Sequence, residues 1–145
     1  MKYVITMTLL LLAAGCGGSR VTGKVAYEDG APVAHGTIVF TTDKVMYSGT
    51  IQKGGNYALG VTQNAQRIPF GTYKVWLSGT ERVEDNIGGY IPKGELVPPI
   101  TVSFPQVSPE FASSSKTPHT AEVHSGRVQF DFVIKRHPEW DKQQK

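Results

Sequence analysis

The stretch Val21 to Phe40, VTGKVAYEDGAPVAHGTIVF, decides the fold class. Val21, Gly23, Val25 and Tyr27 fall on one face while Thr22, Lys24 and Ala26 fall on the other, the period of two of a strand with one side buried. Glu28-Asp29-Gly30-Ala31-Pro32 breaks the alternation. Asp-Gly supplies the positive φ of a tight turn, and proline has no N–H for a central ladder. From Gly36 to Thr42 the alternation resumes, with Ile38 and Phe40 on one face. The segment reads as strand, turn, strand, the opening hairpin of a β domain.

Later runs repeat the pattern. In Gly71 to Ser78, Tyr73, Val75 and Leu77 share a face; in Arg127 to Lys135, Val128, Phe130, Phe132 and Ile134 do. The chain of 145 residues holds 16 Gly and 9 Pro, high for a helical protein of this size, and its remaining runs are rich in Val, Ile, Thr, Tyr and Phe. A single sheet leaves such faces in water, so two sheets closing on each other are expected. The predicted fold is all-β: one antiparallel β-sandwich of about seven strands over residues 21–136. Between Gly79 and Thr120 the alternation is interrupted. Glu81 to Asn86 is charged, Ile91-Pro92 and Val97-Pro98-Pro99 forbid a central strand, and Ile100 to Phe104 reads as a short edge strand. Residues 137–145 form a C-terminal tail.

Ahead of the domain lies a leader. Met1-Lys2-Tyr3 is followed by Val4 to Ala14, a run with no charge, too short for a membrane-spanning helix of roughly 20 residues. It ends at Leu12-Ala13-Ala14-Gly15-Cys16, and Cys16 is the only cysteine, which rules out an intramolecular disulfide. This ending resembles the lipobox of bacterial lipoproteins, although Leu12 stands four residues before the cysteine rather than three. The resemblance implies a signal peptide over residues 1–15, a cysteine lipidated on sulfur, and a lipidated tether over residues 16–20. It implies a cell-envelope protein attached to a membrane through lipid on Cys16.

The β domain has its own resemblance. Val21-Thr22-Gly23-Lys24-Val25, Asp29-Gly30-Ala31-Pro32-Val33 and Gly36-Thr37-Ile38-Val39-Phe40 resemble the opening of transthyretin-like, carboxypeptidase regulatory-like domains. Gly54-Gly55-Asn56-Tyr57-Ala58-Leu59, Pro69-Phe70-Gly71-Thr72-Tyr73-Lys74-Val75 and the closing Phe130-Asp131-Phe132 are similar to that family's later strands, in the same order. The transthyretin fold also hosts a hydroxyisourate hydrolase ending in Tyr-Arg-Gly-Ser; this chain ends in Asp141-Lys142-Gln143-Gln144-Lys145, which disfavours that activity.

The residues themselves offer little chemistry. The four histidines are His35, His119, His124 and His137, and the odd spacing of His119 and His124 points them to opposite faces of one strand. No Gly-x-Ser-x-Gly elbow and no phosphate-cradling glycine loop occurs. The net charge of +3 is spread as single residues, without the basic block that nucleic-acid binding needs. No enzyme, metal or cofactor is expected. What remains is a surface: alternation sends Trp76 away from Tyr73, Val75 and Leu77, and Tyr47 and Tyr90 are candidates to join it in one patch for a partner protein or a glycan. Two readings follow, a non-enzymatic envelope lipoprotein that binds or spaces other components, and a carbohydrate-binding module using exposed aromatic residues.

Overall fold

The computed structural model describes residues 17–60, 67–86 and 100–140; the leader, Cys16 and Tyr90 lie outside the described residues. Among the described residues eleven strands form: β1 (Gly18–Tyr27), β2 (Thr37–Thr41), β3 (Met46–Thr50), β4 (Asn56–Ala58), β5 (Arg67–Pro69), β6 (Gly71–Ser78), β7 (Glu81–Asn86), β8 (Ile100–Pro105), β9 (Thr120–Val123), β10 (Arg127–Gln129) and β11 (Phe132–Ile134). A 3₁₀ turn at Pro109–Ala112 lies between β8 and β9.

Strand β1 is the axis of the first sheet. On one edge its start pairs antiparallel with β5 and its middle with β4. On the other it pairs with β10 and then β11, both in parallel. The second sheet runs β3-β2-β6-β9, antiparallel throughout, and β7 and β8 form a separate antiparallel ribbon. The expectation of an antiparallel fold therefore holds for most pairs and fails where the chain closes. The last strands lie beside the first and run the same way.

The two sheets share one core. Val21, Val25 and Tyr27 of β1 meet Ile38 and Phe40 of β2 and Tyr73, Val75 and Leu77 of β6, all buried. Phe40 is its hub, with no exposed surface and the rings of Tyr57, Tyr73, Phe130 and Phe132 all between 6.1 and 6.3 Å away. A buried aromatic of this kind contributes roughly 2 to 3 kcal/mol by burial, and tilted ring pairs add to it.

Four further expectations change. Val21 to Phe40 is not a hairpin in one sheet, because β1 belongs to the first sheet and β2 to the second. The reversal itself is as read: Gly30 takes φ +84°, its N–H bonds to the Tyr27 carbonyl at 2.9 Å, and Tyr27 N–H bonds to the Ala31 carbonyl at 2.8 Å. Ala26 and Pro32 then face each other as a pair that exchanges no bonds, since Tyr27 and Val33 donate on either side of it. Proline is tolerated there because its missing N–H is not needed. Pairing stops at Val33 and the chain crosses to the other sheet.

The second change is at the start: β1 begins at Gly18, so residues 18–20, read as tether, are laddered to β5. Third, Glu81 to Asn86, read as a charged loop, is strand β7, and the Ile100 strand is its partner. The strand number also exceeds seven, partly because Asp131 splits the closing run into β10 and β11. The C-terminal tail is engaged as far as Trp140: His137 N–H bonds to the Gln106 carbonyl at 2.9 Å, and Trp140 N–H to the His137 carbonyl at 2.9 Å.

Candidate binding surfaces

The outer face of the second sheet is where the sequence places its main candidate. In β6 the alternation leaves Thr72, Lys74 and Trp76 on the face away from the core. Trp76 stands opposite Val39 of β2, which is 4% exposed although it also points outward. Trp76 is itself half-buried, and its Nε1 is buried without a hydrogen-bond partner among the described residues. Leaving such a donor unpaired costs about 1 to 3 kcal/mol. Trp76 is thus a partly covered side chain rather than a bare stacking platform.

Tyr47 does not join it. It pairs with Phe40 across β2 and β3, and its ring meets Tyr73 edge to face at 6.1 Å. That places Tyr47 on the core side of the sheet and Trp76 on the other, so the two do not form one patch. Tyr90, the third member, lies outside the described residues, as does Cys16.

Further along the same outer face is an open groove of about 480 Å³. Its floor is a row across three strands, Thr41 opposite Lys74 opposite Thr120, with Thr72 beside it. The walls are Asp43 in the turn after β2 and Ser114 and Ser115 beyond the 3₁₀ turn. The Thr42 hydroxyl, accepting from Lys44 N–H at 3.3 Å and Val45 N–H at 3.2 Å, holds the turn that carries Asp43. On the other wall the Ser113 and Ser115 hydroxyls share a 2.8 Å hydrogen bond. Hydroxyls that both donate and accept, with one cation and one carboxylate, suit a polar, hydroxylated ligand. The Thr72-Lys74 side of this groove is visible in the alternation of β6. Asp43, Ser114 and Ser115 sit in loops and give no signal before the fold is known.

At the far end of β1, Arg136 closes the first sheet. Its Nε and Nη2 donate to Asp29 Oδ2 at 3.2 and 3.0 Å, and its guanidinium lies 3.8 Å above the Tyr27 ring. The Ala31 N–H first, and then Arg136, hold the Asp29 carboxyl below its usual range, while burial pushes the Tyr27 phenol up. This cluster ties the turn after β1 to the chain leaving β11.

The histidines are dispersed. His35 Nε2 lies 3.1 Å from the Glu81 carbonyl, and His137 Nδ1 accepts from Glu139 N–H at 3.3 Å. His119 and His124 flank the two ends of β9. The His119 ring stacks on Phe111 at 5.1 Å and donates from Nε2 to the Val133 carbonyl at 3.1 Å, joining the edges of the two sheets. Among the described residues, no three His, Cys, Asp or Glu side chains are grouped to hold a metal ion, and no helix is long and apolar enough to cross a membrane.

Compared with protein-family models, with curated proteins and with solved structures, the chain matches none.

Proposed function

We infer that the chain is a lipid-anchored envelope protein whose transthyretin-like β-sandwich acts as a non-enzymatic binding or structural module. The observation that carries this reading is the join between leader and fold. The apolar run Val4 to Ala14 is followed at once by Gly15 and Cys16, and β1 begins at Gly18. A cysteine this close to a packed strand has little room for an intervening segment, which suits an acyl acceptor. Two or more acyl chains are needed for stable attachment, because each buried CH₂ contributes about 0.8 kcal/mol and a single chain binds only marginally. The sandwich reading is supported by the shared core of the two sheets and by the ordered series of strand motifs. Mass spectrometry of the mature N-terminus tests the anchor: a diacylglyceryl group on Cys16 is expected, and a free thiol or a cleavage site elsewhere overturns it.

A second reading, a carbohydrate-binding module, is favoured by the hydroxyl-lined groove on the outer face that also carries Trp76. It draws on Thr41, Asp43, Thr72 and Lys74 more than on an aromatic platform. A glycan array probed with the wild type and with Asp43→Ala separates the readings: a glycan signal lost in the variant favours carbohydrate binding, and a blank array favours a protein partner or a spacer.

A further inference from the structure

Strand register brings three arginines into one row. Arg20 of β1 stands opposite Arg67 of β5 on one side and opposite Arg127 of β10 on the other. Neighbouring strands lie about 4.8 Å apart, so the row is about 10 Å wide. All three residues are exposed on the face away from the core, while their chain neighbours Val21, Ile68 and Val128 are buried. They line an open pocket of about 350 Å³ together with Gly18 and Gly126.

Nothing among the described residues neutralises the row. The ion pairs there are Arg82 with Glu84 and Arg136 with Asp29. Arg67 Nη1 donates to the Gly18 carbonyl at 3.3 Å, a neutral acceptor. Asp131, the carboxylate between β10 and β11, takes Lys24 N–H at 2.8 Å and the Gln129 amide at 3.2 Å. The segment that precedes Arg67 in sequence, 61–66, carries no charge. Like charges directly opposite each other in adjacent strands repel, so the row is unfavourable unless an anion lies over it. Guanidinium forks match the oxygens of phosphate.

The row also sits where the chain emerges. Arg20 is four residues after Cys16, within about 14 Å of it even if the chain is fully extended. Phe70, 46% exposed, packs against Gly17, where an added Cβ would come within 2.4 Å of its ring. An exposed aromatic ring beside a cationic row is the composition of a surface that meets lipid headgroups.

We propose that Arg20, Arg67 and Arg127 bind the phosphodiester headgroups of anionic lipids and seat this end of the first sheet on the membrane. The choice of a membrane as the source of phosphate rests on the anchored reading; the cationic row does not. The test uses the full chain carrying Lys2→Gln, which leaves the leader side chains uncharged, and Cys16→Ser, which lacks the acyl acceptor, mixed with vesicles of phosphatidylcholine alone or with a one-third share of phosphatidylglycerol. The ratio of the two partition coefficients cancels any apolar contribution of the leader. Each arginine near an anionic surface is expected to contribute about fivefold, so the ratio is about a hundredfold and falls steeply with salt. Arg20→Gln, Arg67→Gln and Arg127→Gln together should bring it near one, and each alone should lower it about fivefold. Thermal unfolding of the triple variant checks folding, with the single variants deciding should it misfold. Lys44→Gln, Lys53→Gln and Lys116→Gln, an equal charge change elsewhere, should leave the ratio unchanged. A wild-type ratio near one, a ratio that survives the arginine changes, or an equal loss in the lysine control overturns the proposal. So does displacement by millimolar inorganic phosphate with no preference for phosphatidylglycerol, which assigns the row to a soluble phosphate. Mass spectrometry of the N-terminus judges the anchor independently, so a failed anchor and a failed headgroup site give different results.

Discussion

Gly23 does something at the residue scale that no larger side chain can. It lies on the core-facing side of β1, opposite Tyr57 of β4, and a Cβ there would sit 1.8 Å from the Phe130 carbonyl oxygen and 2.8 Å from the Tyr57 hydroxyl. The gap lets the Tyr57 ring lie across β1 and its hydroxyl donate to the Phe130 carbonyl at 2.8 Å. The backbone acceptor so diverted is replaced for Lys24 N–H by the Asp131 carboxylate. Gly23→Ala is therefore expected to destabilise by about 2 to 3 kcal/mol or more in urea unfolding, the cost of overpacking into rigid backbone. Tyr57→Phe should cost about 1 to 2 kcal/mol at neutral pH for the lost hydrogen bond. It also changes the alkaline side of the stability curve. Burial raises the Tyr57 phenol far above its ordinary 10.0, so its contribution is fully present below pH 10 and is lost as pH rises above it. The wild type should lose stability more steeply than Tyr57→Phe above that pH. At Asp29 the sign is opposite: with its folded pKa lowered, the contribution is present above its ordinary 3.8 and lost as pH falls below it. The stability gap between wild type and Asp29→Asn should close in that acid range, as followed by circular dichroism.

Among the elements, the β7–β8 ribbon differs from the rest. Residues 81–84 are all exposed, Val83 at 59%, and no described residue of the pair belongs to the shared core. Within it Arg82 pairs with Glu84 and the Ser103 hydroxyl donates to Glu81 at 2.8 Å, and the His35 ring reaches it at the Glu81 carbonyl. Two-stranded ribbons without a packed face are marginal alone. Hydrogen exchange should accordingly find the β7 and β8 amides opening far more readily than those of β1, β2 and β6. The same property explains why Glu81 to Asn86 did not read as a strand: alternation reports burial of one face, and residues 81–84 bury neither. Where a face is buried, as in β1, β2 and β6, the alternation locates the strand and orients every side chain, Trp76 included. The partnership of β1 is another matter. The turn at Glu28–Pro32 is legible from Asp-Gly and Pro, yet whether the following strand stays in the sheet depends on where the core lies, which no local pattern carries. The hydroxyl groove and the arginine row are products of register between distant strands, so they too appear only with the fold.

For the whole molecule, the decisive contacts are long in sequence. The pairings that hold β1 to the closing strands join residues 107 positions apart, as Arg20 with Arg127 and Val25 with Phe132. Until they form, one entire edge of β1 is bare. A chain ending before Arg127 should therefore fail to fold, with a loss of far-UV strand signal rather than a modest fall in melting temperature. The intact domain should fold in milliseconds to seconds, as expected for non-local β pairing. The parallel run of β1 beside β10 and β11 has a mechanical consequence. Gly18 and Ile134 lie at opposite ends of the same ladder, so tension between a tethered N-terminus and anything held at the C-terminal end slides the strands past each other. Every bond in the ladder is then loaded together, where an antiparallel closing pair would unzip bond by bond. The closure that completes the core also makes the domain a shear clamp along the line from its N-terminal end to its C-terminal end.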